Sequence, residues 1–283
     1  MRNVLLAILM VALFLNPASA EELTGTLQQI QKSGKIKIGY RTSLPPMSSI
    51  KKNSTPEGYS IDLCQRIVAG VEKKIGSDVS IEYVPVTAEE RFDALSGNKI
   101  DILCGATTNT LSRRELVDFT QITFLTGGAY LTLKGSKIKN NFDGKKIGVV
   151  KGTTTAVGLK ELFQEAEVTA EIVLLNETAE GFNALKEGTI DAFSADQVVL
   201  IGLALSADDP GLFSILPDMF TFEPIALAVR RNDADFRLVA DRELSRLFRT
   251  KEIQKIYDRW LGEFSPEMPP AFNALIKFNS ISE

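Results

Sequence analysis

A segment that recurs after ninety residues constrains this chain more than any other feature. Phe92, Ala94, Leu95, Ile100 and Asp101 return at identical spacing as Phe182, Ala184, Leu185, Ile190 and Asp191. Each copy reads as an amphipathic helical stretch, a break at glycine (Gly97, Gly188) and a short apolar run suited to a buried strand. That is half of a βαβ unit used twice, so two similar lobes are expected rather than one uninterrupted domain. Open α/β sheets collect ligands just outside the carboxyl ends of their strands, which directs attention to residues 104–108 and 194–196. The first stretch offers backbone amides and hydroxyls and the second a carboxylate. Such a pairing suits a small zwitterion held between lobes.

The N-terminus reads as an export signal. Arg2 precedes an apolar run from Val4 to Leu15, then Pro17 and the small-residue site Ala18, Ser19, Ala20 before Glu21. Residues 1–20 are therefore expected to be a signal peptide. The apolar run is too short to span a membrane, and no later stretch reaches the roughly 18 apolar residues a spanning helix needs. No cysteine follows the cleavage site, so a free periplasmic protein is expected. Cleavage removes Arg2, changing 32 basic and 36 acidic residues to 31 and 36, a negative balance that disfavours nucleic acid as a partner.

The complete absence of histidine removes the Ser-His-Asp triad, the Cys-His dyad and the usual zinc ligands together. No cofactor, metal or catalytic residue is expected. Two cysteines remain, Cys64 and Cys104. In an oxidising compartment they form one disulfide or stay as two buried thiols, and the sequence permits both. Cys64 shares a helical stripe with Val68, Val71 and Ile75, and Cys104 ends the predicted strand of the first repeat.

Secondary structure alternates along the chain. Strands are expected at 35–40, 79–84 and 100–103, with helices at 60–74, stopped by Gly76, and at 88–95. After Gly127 and Gly128 an extended run, 129–133, precedes a second set: strands 146–150, 171–174 and 190–193, with helices at 154–165, 180–186 and 197–205. A further extended run, 225–230, leads to helices 235–248 and 251–261. Their apolar faces carry Leu238, Leu244, Leu247, Ile253, Ile256 and Trp260, the last read as core. The two extended runs are expected to be the paired crossovers of a hinge. Lobe 1 is then 21–131 plus 226–283 and lobe 2 is 132–225, with a surface tail after residues 266–270.

Several segments together resemble one family. They are 58–63 (Gly-Tyr-Ser-Ile-Asp-Leu), 105–110 (Gly-Ala-Thr-Thr-Asn-Thr) followed by Arg113, 152–154 (Gly-Thr-Thr), and Ala192-Phe193 with Asp196. The mature chain resembles a periplasmic polar amino-acid-binding protein of an ABC importer, most closely the glutamate/aspartate-binding branch of solute-binding protein family 3. The resemblance implies the type II periplasmic-binding-protein fold: α/β, two lobes, each a mostly parallel sheet flanked by helices, joined by a two-strand hinge. It also implies a monomer that closes on an amino acid and delivers it to an inner-membrane permease.

The resemblance assigns roles that the chemistry supports. Arg113 is placed as the clamp for the ligand α-carboxylate, which a guanidinium meets with two parallel charge-assisted hydrogen bonds. Arg114 is the alternative register. The Thr108 hydroxyl and the Ala106 amide take remaining lone pairs, and Asp196 accepts from the ligand ammonium. Thr153 and Thr154 open a helix and offer donors from the second lobe, although a plain threonine N-cap explains them too. Arg41 and Arg91 are placed beside the ligand side chain, favouring a second carboxylate, with Glu89 and Glu90 as alternative partners for Arg91. Thr178 stands where the acidic-ligand branch has a histidine, Met47 where an aromatic often stacks, and Ala88 where a hydroxyl occurs. The competing expectations are a glutamine-type binder, a cyclohexadienyl dehydratase-like enzyme on the same fold, and a sensory module.

Overall fold

The computed structural model describes residues 22–50, 54–138 and 141–283; the expected signal peptide lies outside them. Two five-stranded sheets are built on one plan. The first runs Ser80–Pro85, Lys35–Tyr40, Ile102–Cys104, Glu223–Arg230, Val117–Thr126; the second runs Glu171–Leu175, Lys146–Val150, Ala192–Asp196, Gly128–Leu133, Phe213–Ile215. In each, the first three strands are parallel and the fourth pairs antiparallel with both neighbours. A small sheet of Ser43–Leu44, Ser48–Ile50 and Pro56–Glu57 touches helices of both lobes.

The internal repeat is the sequence trace of this shared plan. Helices Arg91–Ser96 and Thr178–Lys186 each precede a central strand, with Leu95 and Leu185 fully buried beneath them. The mates Asp101 and Asp191 do the same work: the Asp101 carboxylate accepts from the Lys37 amide at 2.8 Å, and that of Asp191 from the Lys146 amide at 2.9 Å. Each carboxylate ties the start of one strand to its neighbour, so both strands begin after the aspartate, two residues later than expected. The left-handed residue of the second copy is Gly188 (φ 71°). In the first copy it is Asn98 (φ 58°), not Gly97, whose φ of −83° is ordinary.

The first-repeat helix also begins later than expected, at Arg91, because residues 87–90 form a turn in which Thr87 and Glu90 bond each other. The expected hinge runs are strands inside the sheets instead. Gly128–Leu133 belongs to the second sheet and Glu223–Arg230 to the first, and the ten-residue strand Val117–Thr126 was not anticipated. Both runs are apolar because nearly all of their side chains are buried on the two faces of their sheets. Sheet membership therefore puts the first crossing at Gly127, ahead of the expected boundary at 131, and the second at Thr221 and Phe222. The crossings touch: a Cβ on Gly127 would lie 2.3 Å from the Thr221 carbonyl, and the Gly128 amide donates to Thr221 Oγ1 at 2.7 Å.

The helix Tyr59–Ile75 ends on Gly76 (φ 73°) and buries Cys64, Val68, Val71 and Ile75. Ala234–Arg249 and Glu252–Leu261 return to the first lobe with Leu244, Leu247, Ile253 and Ile256 buried. Leu238 is half exposed, contrary to its expected place on the apolar face. Trp260 packs against the core, as expected, but is only half-buried: its indole N–H donates to Asp62 at 2.8 Å, a polar tip that keeps the ring at the edge of the packing. The C-terminal segment is a helix, Pro270–Asn279, anchored by buried Phe272 and Leu275. Among the described residues no helix is long and apolar enough to cross a membrane.

Candidate ligand-binding site

The loop after Ile102–Cys104 is held on two sides. From the helix Tyr59–Ile75, Ser60 Oγ donates to the Gly105 carbonyl at 2.9 Å, and one turn later Cys64 is disulfide-bonded to Cys104. From the strand Glu223–Arg230, the Ala226 amide donates to the Thr107 carbonyl at 3.0 Å, and the Pro224 carbonyl accepts from the Asn109 amide at 2.9 Å. Ala106, Thr107 and Thr108 are thereby fixed facing the second lobe. There Asp196 ends its strand, Thr153 and Thr154 open the helix Thr154–Glu165, and Thr178 begins Thr178–Lys186.

All nine residues proposed from the sequence, Arg41, Arg91, Ala106, Thr108, Arg113, Thr153, Thr154, Thr178 and Asp196, line one cavity between the lobes. Leu44, Val150 and Val199 supply its apolar wall. Met47, expected at the stacking position, is fully buried in the first-lobe core and does not line the cavity. Arg114 is exposed, donates to Asn109 Oδ1 at 2.8 Å, and is absent from the lining.

The guanidiniums are engaged unequally. Arg113 donates to the Thr108 carbonyl at 3.0 Å and reaches the Gly152 carbonyl at 3.5 Å. Arg91 donates to that Gly152 oxygen at 3.1 Å and lies 4.4 Å from the Phe92 ring, while its Nη1 is buried with no acceptor. Glu89 pairs with Lys151 at 2.7 Å and Glu90 accepts from Thr87, so neither takes up Arg91. Arg41 bonds Glu177 of the other lobe at 2.7 Å, and its Nε is buried without an acceptor. Burial, then the neighbouring Arg113 and Arg41 charges, lower the Arg91 pKa to about 9. Burial lowers that of Arg113 as well, with Glu223 and Asp196 opposing. Asp196 is pushed up to about 7, by burial first and then by Glu223, against the pull of Arg113 and Arg91.

The threonines are already occupied. Thr153 is the N-cap, donating to the Val150 carbonyl at 2.7 Å and accepting from the Ala156 amide at 3.1 Å. Thr108 and Thr154 both donate to Glu223, a buried acid that opens the strand Glu223–Arg230. Sequence reasoning missed Glu223 and Glu177. No pattern marks them, since one precedes an apolar strand and the other a helix, as many solvated acids do. Contacts of Arg41 with Glu177, Arg91 with Gly152 and Thr108 with Thr154 (3.0 Å) all cross the cleft, so the lobes are closed on each other. The space between these groups is about 40 Å3. The contacts across the cleft enclose this space, so a ligand reaches it only when the lobes part.

Comparison with known proteins bears on this arrangement. The family model for bacterial extracellular solute-binding proteins, family 3, matches residues 36–263. An L-glutamate/L-aspartate-binding protein of Pseudomonas aeruginosa is 32% identical over 266 residues, covering 93% of this chain and 87% of the relative. A glutamate/aspartate import solute-binding protein of Salmonella typhimurium is 30% identical over 277 residues, covering 95% and 91%. Among solved structures, an ancestral arginine-binding protein bound to glutamine superposes with a TM-score of 0.72 at 28% identity, covering 81% of this chain and 98% of that one.

Proposed function

This chain belongs to the bacterial extracellular solute-binding proteins, family 3, and we propose that it captures an acidic amino acid in the periplasm and passes it to an ABC-type permease. The observation that carries this reading is a pair of buried, unpartnered guanidinium N–H groups, Arg41 Nε and Arg91 Nη1, on residues that line the cavity with Arg113 and Asp196. A buried donor left without an acceptor costs on the order of 1–3 kcal/mol, more when charged, and a carboxylate relieves it. Three guanidiniums and one cavity-lining carboxylate match two ligand carboxylates and one ammonium. Arg113 takes the α-carboxylate, Asp196 the ammonium, and Arg91 with Arg41 the side-chain acid. Micromolar binding needs only about −8 kcal/mol, which a few charge-assisted contacts supply after ordering costs.

The names of the relatives support the same ligand class, and their identity to this chain extends through both lobes. The family is one of transport components, and an enzyme reading finds no support in these relatives. Calorimetry with glutamate, aspartate, glutamine and asparagine, on wild type and on Arg41→Met, tests the ligand class. Wild type is expected to bind the acids more tightly, and Arg41→Met to weaken acids far more than amides. Equal losses for glutamate and glutamine would make Arg41 a scaffold residue. Tighter binding of glutamine by wild type would overturn the acidic assignment.

A further inference from the structure

We propose that Glu177 sets how strongly the site discriminates acids from amides, by neutralising Arg41 across the cleft. This rests on the amino-acid-binding reading and refines it. Arg41 is 5% exposed, and among the described residues its ion-pair partner is Glu177, at 2.7 Å from the opposite lobe. Glu177 does not line the cavity, so it acts through Arg41.

Its position in the chain argues for that task. Glu177 is the N-cap of Thr178–Lys186, with extended backbone (φ −133°, ψ 153°). A short polar side chain there ordinarily accepts from the first amides of its own helix, as Thr153 does for Thr154–Glu165. The Glu177 side chain makes no capping bond and bridges to Arg41 instead. The other acids near the guanidiniums do not compensate Arg41: Glu223 holds Thr108, Thr154 and Thr221, Glu89 holds Lys151, and Asp196 faces Arg113 and Arg91.

The consequence is electrostatic. With Glu177 in place an incoming side-chain carboxylate meets a guanidinium whose charge is compensated, and two carboxylates share one cation in a low-dielectric cleft. The carbonyl oxygen of an amide takes the same N–H without adding negative charge. Glu177 therefore narrows the preference for acids, leaving Arg91 as the cation facing the side chain with no acid in direct contact. Two carboxylates around one guanidinium repel each other more than a carboxylate and an amide do, and only the acidic ligand feels the difference.

The test is the glutamate-to-glutamine affinity ratio, measured by calorimetry on the whole mature chain. Glu177→Gln keeps the shape and removes the charge; it is expected to widen the ratio at least tenfold, with glutamine affinity within threefold of wild type. Glu177→Asp, which keeps the charge, is expected to leave the ratio within threefold. If Glu177 only stabilises closure, Glu177→Gln weakens all four ligands by one common factor, and that unchanged ratio would overturn the proposal. A wild type that binds none of the four would instead sink the amino-acid reading on which it stands.

Discussion

Thr108 donates its hydroxyl hydrogen to Glu223 across 2.5 Å, and Thr154 donates to the same carboxylate oxygen from the opposite lobe at 2.8 Å. Thr221, at the crossing, donates to the other oxygen at 2.8 Å. A threonine hydroxyl has one hydrogen, so while Glu223 holds them Thr108 and Thr154 face the cavity with lone pairs rather than donors. The two hydroxyls expected to grip a ligand carboxylate thus grip an internal one. In this closed arrangement the donors left for an α-carboxylate are Arg113 and the backbone amides, and recruiting the hydroxyls requires Glu223 to release them.

Glu223→Gln should destabilise the fold. The substitution removes the charge from hydrogen bonds at a side chain 1% exposed and turns an amide NH2 toward hydroxyls that were donating. The loss is expected to be about 1.5–3 kcal/mol. Urea unfolding of the two proteins measures it, and coincident midpoints would show that the hydroxyl cluster contributes nothing.

Arg113→Ala should abolish binding of every amino-acid ligand and Arg114→Ala should change it less than threefold. Arg113 lines the cavity, whereas Arg114 is exposed and bonded to Asn109. Truncating one partner of a buried charge pair costs on the order of 2–5 kcal/mol, which is about a thirtyfold loss at the low end and several thousandfold at the high end. Titration of both variants with glutamate decides between the two arginines.

Removing the Cys64–Cys104 bond should lower stability by about 4 kcal/mol on the chain-entropy relation for a loop of this length, the two residues being 40 apart in sequence. It should also loosen the 105–108 loop, leaving Ser60 as its remaining tether to the helix. A Cys64→Ala/Cys104→Ala protein that unfolds at the wild-type urea midpoint would refute the stability claim. Ligand affinity measured alongside reports on the loop.

The two-lobed plan was readable because the repeat is a packing constraint: Leu95 and Leu185, Ile100 and Ile190, Asp101 and Asp191 do the same work in both sheets. Ala106, Thr108, Thr153 and Asp196 were readable because they lie at or just after strand ends, where backbone geometry leaves amides and side chains facing the cleft. Arg41, Arg91, Arg113 and Thr178 were legible only through the family resemblance. Val117–Thr126 was not, since its burial alternates irregularly along a strand that spans from sheet to hinge. Glu177 and Glu223 were invisible for another reason. Their partners, Arg41, Thr108 and Thr154, lie 136, 115 and 69 residues away, and no local periodicity encodes a contact between residues so distant in the chain.

Ligand affinity should fall as pH drops below about 7, and Asp196 should be the reason. Burial and the Glu223 charge push its carboxyl up to about 7 in the closed, unliganded protein. Below that pH the group is protonated and cannot accept from an ammonium as a carboxylate, so binding must release a proton. Affinity then declines by up to about tenfold per pH unit until the carboxyl is protonated in the complex as well. The sign for stability follows from the same shift. A folded-state pKa above the unfolded value of about 4 means the unliganded protein's advantage from this group is complete below pH 4 and lost as pH rises toward 7. An amino acid whose ammonium pairs with the ionised carboxylate restores it, so ligand-induced stabilisation should be larger at pH 7.5 than at pH 5.5. Calorimetry in two buffers of different ionisation enthalpy at pH 6 counts the proton released. Wild type is expected to release close to one and Asp196→Asn none, and equal proton release from both would remove Asp196 from the ammonium site.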